Sequence, residues 1–418
     1  MNNNKKNLLL CLTGSVASKL LYKLYQAFES NYNIQIIVTK SAEYFIWNTN
    51  RKNVDFIHKK RFLNPHPITD DLTNTEQIFQ FDQDHFIWTE FHGTLYREHY
   101  HYETTDNVAY SIYNKVVHIE LANWADVVLI APCTANTLGK LANGICDNLL
   151  TSTITAVMGM NKQIFIAPAM NTNMYNNNIV QNNINILKKQ DIAFIEPTVD
   201  KLACDDFGIG ALPYVGTIAN IVNGHRWFLP IDFYNLNNYR DSMIPINEQY
   251  DCDTRKFSFK YFLPTHKEPG SFGFQRKFEI HNGVDIYCAE NSPVHAVEDG
   301  EVVAIKQFTG KQLNMNWWLD TWAICVKGQS GVVCYGEMNQ QFNFNVGDKV
   351  KVNDVLGTVK AVLPTEKIRP DIRNHNNAML HIQLFKDYEN DEQLLNWYPN
   401  QQRNKMLLDP TPYLKFIN

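Results

Sequence analysis

The sequence predicts an α/β domain built on a parallel, Rossmann-like sheet, followed by a mostly β domain. Three observations predict this. Short apolar runs at 8–12, 34–39, 127–131 and 164–167 alternate with segments of helical character. From residue 276 onward, glycine-punctuated strands replace that alternation. At 418 residues the chain is too long for one ordinary core and comfortable for two.

Leu8 to Leu12 reads as a buried first strand that stops at Gly14. With its basic flank it mimics a signal peptide, but the apolar run is short and a buried strand explains it better. Ser15 to Phe28 reads as a helix, with apolar residues at 17, 20, 21, 24 and 28. A second strand follows at 34–39, and Ser41 can cap a helix beginning near Glu43. Residues 51–113 are irregular and dense in aromatic and histidine residues, read as strand and loop packing with one residue beside a bound ligand. Strands at 127–131 and 164–167 both end in Ala-Pro, and helical segments lie around 135–160 and 176–190. A parallel sheet covered on both faces follows, with ligands expected beyond the carboxyl ends of its strands. Thr13, Pro132 and Pro168 all fall at such ends. The expected domains are 1–230 and 276–418, joined through 231–275, where Pro245, Pro264 and Pro269 punctuate the chain after Pro230. In the second, strands are expected at 278–281, 284–288, 301–307, 322–327, 331–335, 355–359 and 379–384.

A net charge of −5 gives no basic surface for nucleic acid. No apolar stretch is long enough to span a membrane. The 12% aromatic content argues against disorder. The eight cysteines form no close Cys-x-x-Cys pair, so a reducing, cytoplasmic setting is expected. Cys325 and Cys334 are nevertheless spaced to face each other across a hairpin.

Four short segments carry chemistry. Thr13-Gly14-Ser15-Val16 follows a strand and opens a helix, which suits an anion. Thr134-Ala135-Asn136 admits the close approach of a planar ring, or simply caps a helix. His118, Asn171 and Cys204 each read alone as a core or turn residue, and together as a base, an amide clamp and a thiol.

The ordered set His118-Ile119-Glu120-Leu121, Trp124-Ala125-Asp126, Pro132 to Lys140, Asp147-Asn148-Leu149-Leu150, Pro168-Ala169-Met170-Asn171 and Ala203-Cys204-x-Asp206-x-Gly208-x-Gly210 resembles the FMN-containing cysteine decarboxylase flavoproteins over residues 7–220. The resemblance implies decarboxylation of phosphopantothenoylcysteine in coenzyme A biosynthesis through a thioaldehyde and an enethiol. Related enzymes act on a peptide ending in cysteine, and a non-catalytic flavin-binding regulator is a third possibility. It implies Gly14, Ser15, Val16 and Ser41 at the FMN phosphate, and Thr134, Ala135 and Asn136 along the ring or ribityl chain. It makes His118 the base, Asn171 the grip on the substrate, and Cys204, on a flap, the proton donor. Met174, Asp206 and Lys19 would complete the substrate pocket. It also implies a homotrimer with FMN near the interface and His118 supplied by a neighbouring chain. Asn123 stands where the family has a basic residue, which would remove an anion partner. Asp205 stands where the flap has glycine.

In the second half, His281-x-x-x-Asp285 and His381 within Met379-Leu380-His381 offer two imidazoles and a carboxylate, a set that fits Zn²⁺ with an open fourth position. With Tyr335-Gly336-Glu337, Gly347-Asp348 and Gly357, this resembles the lysostaphin-like zinc metallopeptidases over 276–386. Glu337 and Met379 stand where that family has its two non-ligand histidines. The resemblance therefore implies a retained metal and a lost peptidase activity, in a domain that binds a peptide or shapes an oligomer.

Overall fold

The first apolar run becomes strand β1 (Lys6–Leu12), and in a computed structural model of the chain it lies inside a six-stranded parallel sheet. The structure describes residues 5–47, 85–89, 117–231, 250–251, 256–257, 266, 270–276, 280–288, 290–313, 315–364, 378–387 and 405–415. Most of the aromatic and histidine-rich stretch at 51–113, with its expected flavin neighbour, lies outside these residues. So does most of the proline-punctuated segment.

The sheet order is β3 (His85–Thr89), β2 (Tyr32–Val38), β1, β4 (Val127–Cys133), β5 (Gln163–Pro168) and β6 (Ala193–Phe194). Every pairing is parallel. The order reverses between β1 and β4, the switch point at which a doubly wound sheet opens a crevice beyond its strand ends. Burial on both faces explains the continuous apolar runs. On one face Leu9, Val128, Ile130 and Ile166 pack with residues of four helices, α3 (Val117–Trp124), α4 (Ala135–Ala142), α5 (Leu149–Met158) and α7 (Asn178–Lys188). Leu8, Leu10 and Leu12 alternate to the other face and are also fully buried.

The helix expected from Ser15 divides into a 3-10 turn at Val16–Leu20 and α1 (Leu21–Phe28). The Ser15 side chain accepts a hydrogen bond from Ala17 N at 3.3 Å, and Ser18 Oγ donates back to the Thr13 carbonyl at 2.7 Å, tightening the first turn. The next helix, α2 (Lys40–Trp47), is not capped by Ser41, which lies inside it. Thr39 Oγ1 accepts from Ala42 N at 3.3 Å instead. The helical stretch expected at 135–160 is two helices, and Asn148 opens the second with a reciprocal capping box to Thr151. A four-residue helix, α6 (Thr172–Tyr175), packs against α7 and the strand Phe207–Ala211, and α8 (Val215–Val222) packs on α1. Strands β7 (Thr198–Lys201) and β8 (Phe207–Ala211) form a separate antiparallel hairpin.

Helix α3 runs antiparallel to the strand that follows it, so its start lies at the carboxyl edge of the sheet and its end at the amino edge. That end is closed by Lys162, whose ammonium donates to the carbonyls of Ala122, Asn123 and Ala125 at 2.6, 2.8 and 2.6 Å. Asn7 N donates to Asp126 Oδ2 at 2.8 Å beside it. Asn123 therefore sits at the edge away from the crevice, and its neutral side chain takes no anion partner from a ligand bound there. A cation at the last carbonyls of a helix also suits its dipole. Lys162→Met is expected to destabilise the domain by about 2 kcal/mol in urea unfolding, because three charge-assisted hydrogen bonds go with the ammonium.

The chain divides into two units, Met1–Asn223 and Gly224–Asn418, earlier than the expected boundary at 230. Apolar anchors decide this rather than prolines. Trp227 and Ile231 are fully buried, Trp227 stacks on Tyr413 at 4.8 Å, and Phe228 N donates to the Val297 carbonyl at 2.7 Å.

The second unit opens with a short hairpin of β9 (Tyr250–Asp251) and β10 (Lys256–Phe257). Its main sheet runs β11 (Val284–Cys288), β18 (Ala378–Phe385), β15 (Val332–Phe342), β14 (Thr321–Gly328), β13 (Gly300–Thr309), β16 (Lys349–Val350), all antiparallel. β12 (Pro293–His295), β17 (Val355–Val359) and β19 (Leu407–Leu408) pair at its borders. Half of the strand expected at 278–281 lies outside the described residues; Ile280 forms a bridge with Gln275. Cys325 and Cys334 lie directly opposite each other in β14 and β15 and are joined as a disulfide, against the expectation of free thiols. Among the described residues, no helix is long and apolar enough to cross a membrane.

Candidate functional site

At the switch point the ends of β1 and β4 are tied together by Thr13, a fully buried residue. Its Oγ1 donates to the Pro132 carbonyl at 2.9 Å and accepts from Thr134 N at 2.8 Å. Thr134 then caps α4, leaving Asn136 exposed in its first turn. Across the crevice, Gly14 meets Ser41. A Cβ on Gly14 would fall 2.4 Å from Ser41 Cβ, so glycine alone permits this approach of the turn to α2. Ser15, Val16 and the hydroxyl of Ser41 thus gather at one strand end, with the 3-10 turn directed into them. Lys19 is exposed on that same turn.

A second group lies beyond β5. Asn171 caps α6 with its Oδ1, which accepts from Asn173 N at 2.8 Å. Its Nδ2 donates to Cys204 Sγ at 3.2 Å, and that thiol donates to Asp206 Oδ2 at 3.2 Å. The amide, thiol and carboxylate form one directional chain. Cys204 sits exposed in the turn between β7 and β8, and the hairpin is anchored at its base. Met170 N donates to the Gly210 carbonyl at 2.9 Å, and Thr172 Oγ1 donates to Ile209 O at 2.8 Å. Gly210 has φ 134°, and a Cβ there would fall 2.1 Å from the Met170 carbonyl. Asp205 adopts φ 65°, the left-handed conformation that glycine takes freely, and its carboxylate pairs with Lys201 at 2.7 Å. Met174 is exposed on α6.

His118 lies in the first turn of α3, at the same carboxyl edge. It is half-buried, and its Nδ1 is buried without a hydrogen-bond partner. Burial lowers its imidazole below the ordinary histidine value. Two other thiols at this end, Cys11 and Cys133, are fully buried, and burial pushes both far up, out of nucleophilic range.

The second unit gathers its own site. Asp285 and His381 are direct cross-strand partners in β11 and β18, and His281 precedes β11 by one turn of chain. His381 Nδ1 lies 2.7 Å from Asp285 Oδ1, His281 Nε2 lies 3.1 Å from the same oxygen, and the two imidazole nitrogens are 3.3 Å apart. All three residues are buried. His281 Nδ1 is 2.8 Å from the Ser271 carbonyl, which turns Nε2 inward. Arg276 engages the other oxygen of Asp285 at 2.5 Å. Burial acts to raise the Asp285 carboxyl, but the two imidazoles outweigh it and hold it well below its usual range. Burial lowers His381 to about 4 despite Asp285 beside it. Gly283 makes room for the ring: a Cβ there would fall 2.4 Å from His381 Nε2.

Sequence reasoning missed Thr172, Ser271 and Arg276, and gave Thr13 an anion-cradle role rather than the tie between β1 and β4. Thr172, Ser271 and Arg276 act through contacts to partners distant in sequence, and nothing in local pattern marks them. Gly283, between His281 and Asp285, is likewise given no role by the sequence.

Comparison with known proteins bears on both halves. The Flavoprotein family matches residues 1–226, and Peptidase family M23 matches residues 279–391. A Dictyostelium discoideum protein provisionally named phosphopantothenoylcysteine decarboxylase is 34% identical over 221 residues, 52% of this chain and 92% of its own length. An Arabidopsis thaliana phosphopantothenoylcysteine decarboxylase is 35% identical over 212 residues, 50% of this chain and 79% of its own. Among solved structures, a PPC decarboxylase mutant complexed with pantothenoylaminoethenethiol is 31% identical, covering 53% of this chain and 97% of that one, with a TM-score of 0.39. With more than half its length matched, the chain belongs to the Flavoprotein family.

Proposed function

We propose that the first domain is an FMN-dependent decarboxylase that converts phosphopantothenoylcysteine to phosphopantetheine. The observation that carries this reading is the directional chain Asn171–Cys204–Asp206 at the carboxyl edge of the sheet. It rests also on the names of the relatives. The crevice fits a flavin mononucleotide: Gly14, Ser15, Val16 and Ser41 would hold its phosphate, and Thr134, Ala135 and Asn136 its ring and ribityl chain. When bound, FMN supplies a two-electron acceptor for the substrate thiol and returns the same pair, so the overall reaction is redox-neutral. Asn171 orients the cysteinyl carboxylate with its amide. Cys204 would deliver a proton to carbon as the enethiol is reduced, Asp206 orients the thiol by accepting its hydrogen bond, and solvent at this exposed turn returns the proton to the sulfur. His118 takes the substrate's proton, Met174 lines the pocket, and exposed Lys19 meets the substrate's charge. The domain works as a homotrimer, with His118 provided to a neighbouring subunit's crevice.

The test is mass spectrometry of phosphopantothenoylcysteine and of a peptide ending in cysteine, each incubated with the full chain. Loss of carbon dioxide from the small substrate supports this reading. Turnover of the peptide alone sinks it.

Gly14→Ala is expected to weaken flavin binding about tenfold to a hundredfold, the equivalent of about 1–3 kcal/mol of overpacking. Flavin absorbance retained after gel filtration checks this. The pH dependence has a definite sign. His118 has a folded value below its ordinary ~6.5, so it stays neutral and basic as pH falls through that point. The acid limb of kcat/KM is therefore expected below pH ~6.5, and to vanish from the profile of His118→Asn.

In the second domain, His281, Asp285 and His381 fit a divalent ion such as Zn²⁺. Tetrahedral ligands at about 2.0–2.1 Å from zinc stand about 3.3 Å apart, close to the 2.7–3.3 Å separations of these donor atoms. Met379 is half-buried opposite Tyr287 and carries no proton, so a structural or peptide-holding role is favoured over hydrolysis.

A further inference from the structure

Asn171 and Cys204, the amide and the thiol of the first domain's site, stand on separate elements. Asn171 caps α6, a helix of four residues. So short a helix does not hold itself, because its few backbone bonds do not repay the ordering of its residues. Cys204 sits in the exposed turn of the β7–β8 hairpin. The 3.2 Å separation of Asn171 Nδ2 from Cys204 Sγ therefore depends on what ties α6 to the hairpin. On the β8 side the ties are the Met170–Gly210 and Thr172–Ile209 bonds.

The β7 side has a tie of its own, and it is ionic. Tyr175, the last residue of α6, is 5% exposed, and its hydroxyl donates to Glu196 Oε2 at 2.6 Å. Glu196 stands where the chain leaves the sheet for the hairpin. Ile195 N still pairs with the Ile166 carbonyl at 2.8 Å, and β7 begins at Thr198. The other oxygen of Glu196 accepts from Lys188 Nζ at 2.9 Å, at the end of α7. Glu196 is buried while the Lys188 side chain is 44% exposed, so the anion is held inside and its counter-ion at the surface. A buried carboxylate needs such partners, and a hydroxyl bonds to it more strongly than to a neutral acceptor. Burial, and then the Glu196 charge, push the Tyr175 hydroxyl far up, so it stays protonated and donates. Gln181 Nε2 donates to the Tyr175 carbonyl at 2.6 Å, fixing the residue at its other end.

We propose that Tyr175 and Glu196 are positioning residues: their bond sets α6 against the hairpin and so keeps Cys204 in register with Asn171. This rests on the reading that the thiol and the amide serve one decarboxylase site. Both residues act through others. Tyr175 N donates to the Asn171 carbonyl at 3.0 Å and closes the turn that Asn171 caps, and Glu196 fixes the strand that leads to Cys204. Proton delivery to carbon is the step that needs this register, since carbon dioxide is lost before Cys204 acts.

The test compares the full chain with Tyr175→Phe, which removes one oxygen and leaves the ring. The first readout is the ratio of unsaturated to saturated product from phosphopantothenoylcysteine. It is measured by mass spectrometry in air, whose dioxygen reoxidises flavin left reduced. Tyr175→Phe is expected to raise that ratio about tenfold to a hundredfold, with far-ultraviolet dichroism and flavin binding unchanged. Glu196→Gln, which keeps an acceptor but not the charge, is expected to raise it less. In a Cys204→Ser background Tyr175→Phe should add nothing, because both changes act on one proton transfer. The second readout needs no substrate: the rate at which iodoacetamide labels Cys204, with exposed Cys146 as internal reference. Tyr175→Phe is expected to raise labelling of Cys204 about threefold and to leave Cys146 as it was. A role in stability alone would lower the amount of active protein and move neither readout. Unchanged labelling of Cys204 in both variants overturns the proposal, as does an unchanged product ratio. Raised labelling in a chain that releases no carbon dioxide supports the positioning and sinks the decarboxylase reading instead.

Discussion

Cys204→Ser is expected to leave flavin binding intact and to lower formation of the saturated aminoethanethiol product about a hundredfold to ten-thousandfold, the range of a lost general acid. The hydroxyl keeps the place and nearly the size of the thiol. It still accepts from Asn171 Nδ2, now 3.2 Å from the sulfur, and donates to Asp206 Oδ2. The hairpin therefore has no reason to move, since its anchors are Gly210, Ile209 and Thr172 at the other end. What changes is proton delivery, because a hydroxyl is a far weaker acid than a thiol. The oxidised, unsaturated product is expected to accumulate while carbon dioxide is still released. Mass spectrometry separates the two products by two mass units, and equal loss of both would mean that Cys204 holds the flap rather than the proton.

The parallel sheet was legible because strands buried on both faces must be continuously apolar. Leu8 to Leu12 and Val127 to Ala131 permit no other reading once the intervening helices are seen. The convergence of Gly14, Thr134 and Asn171 followed from that sheet alone, since strand ends of a doubly wound fold share one edge. What stayed hidden depended on single long-range contacts. Ser41 and Thr39 are equally good caps in sequence, and only the Thr39 Oγ1 bond to Ala42 N separates them. Asn123 looked like a loss at the active site because a motif gives order along the chain but not which end of a helix faces the crevice. The bulge at Gly336-Glu337 was invisible for a related reason. Alternation read straight through β15 misses it, and only the offset between β14 and β15, where Gly336 and Glu337 together oppose Ala323, reveals the extra residue.

Gly283→Ala is expected to destabilise the second domain by about 3 kcal/mol in urea unfolding. The new Cβ would stand 2.4 Å from His381 Nε2 and 2.6 Å from the Ile382 carbonyl. The ring could swing aside, but the carbonyl belongs to β18 and cannot retreat without breaking its pairing with β11. Either response displaces His381 Nδ1 from Asp285, so metal affinity is expected to fall with stability, by tenfold or more. Gly347→Ala in the same domain is the control. Gly347 has φ 94° and nothing within 4 Å of its Cβ position, so alanine there meets backbone strain of about 1–2 kcal/mol and no neighbour. It should lose stability and keep its metal. A Gly283→Ala chain that binds Co²⁺ like the unaltered protein would mean that the imidazole tolerates displacement, and that the glycine serves the strand pairing rather than the site.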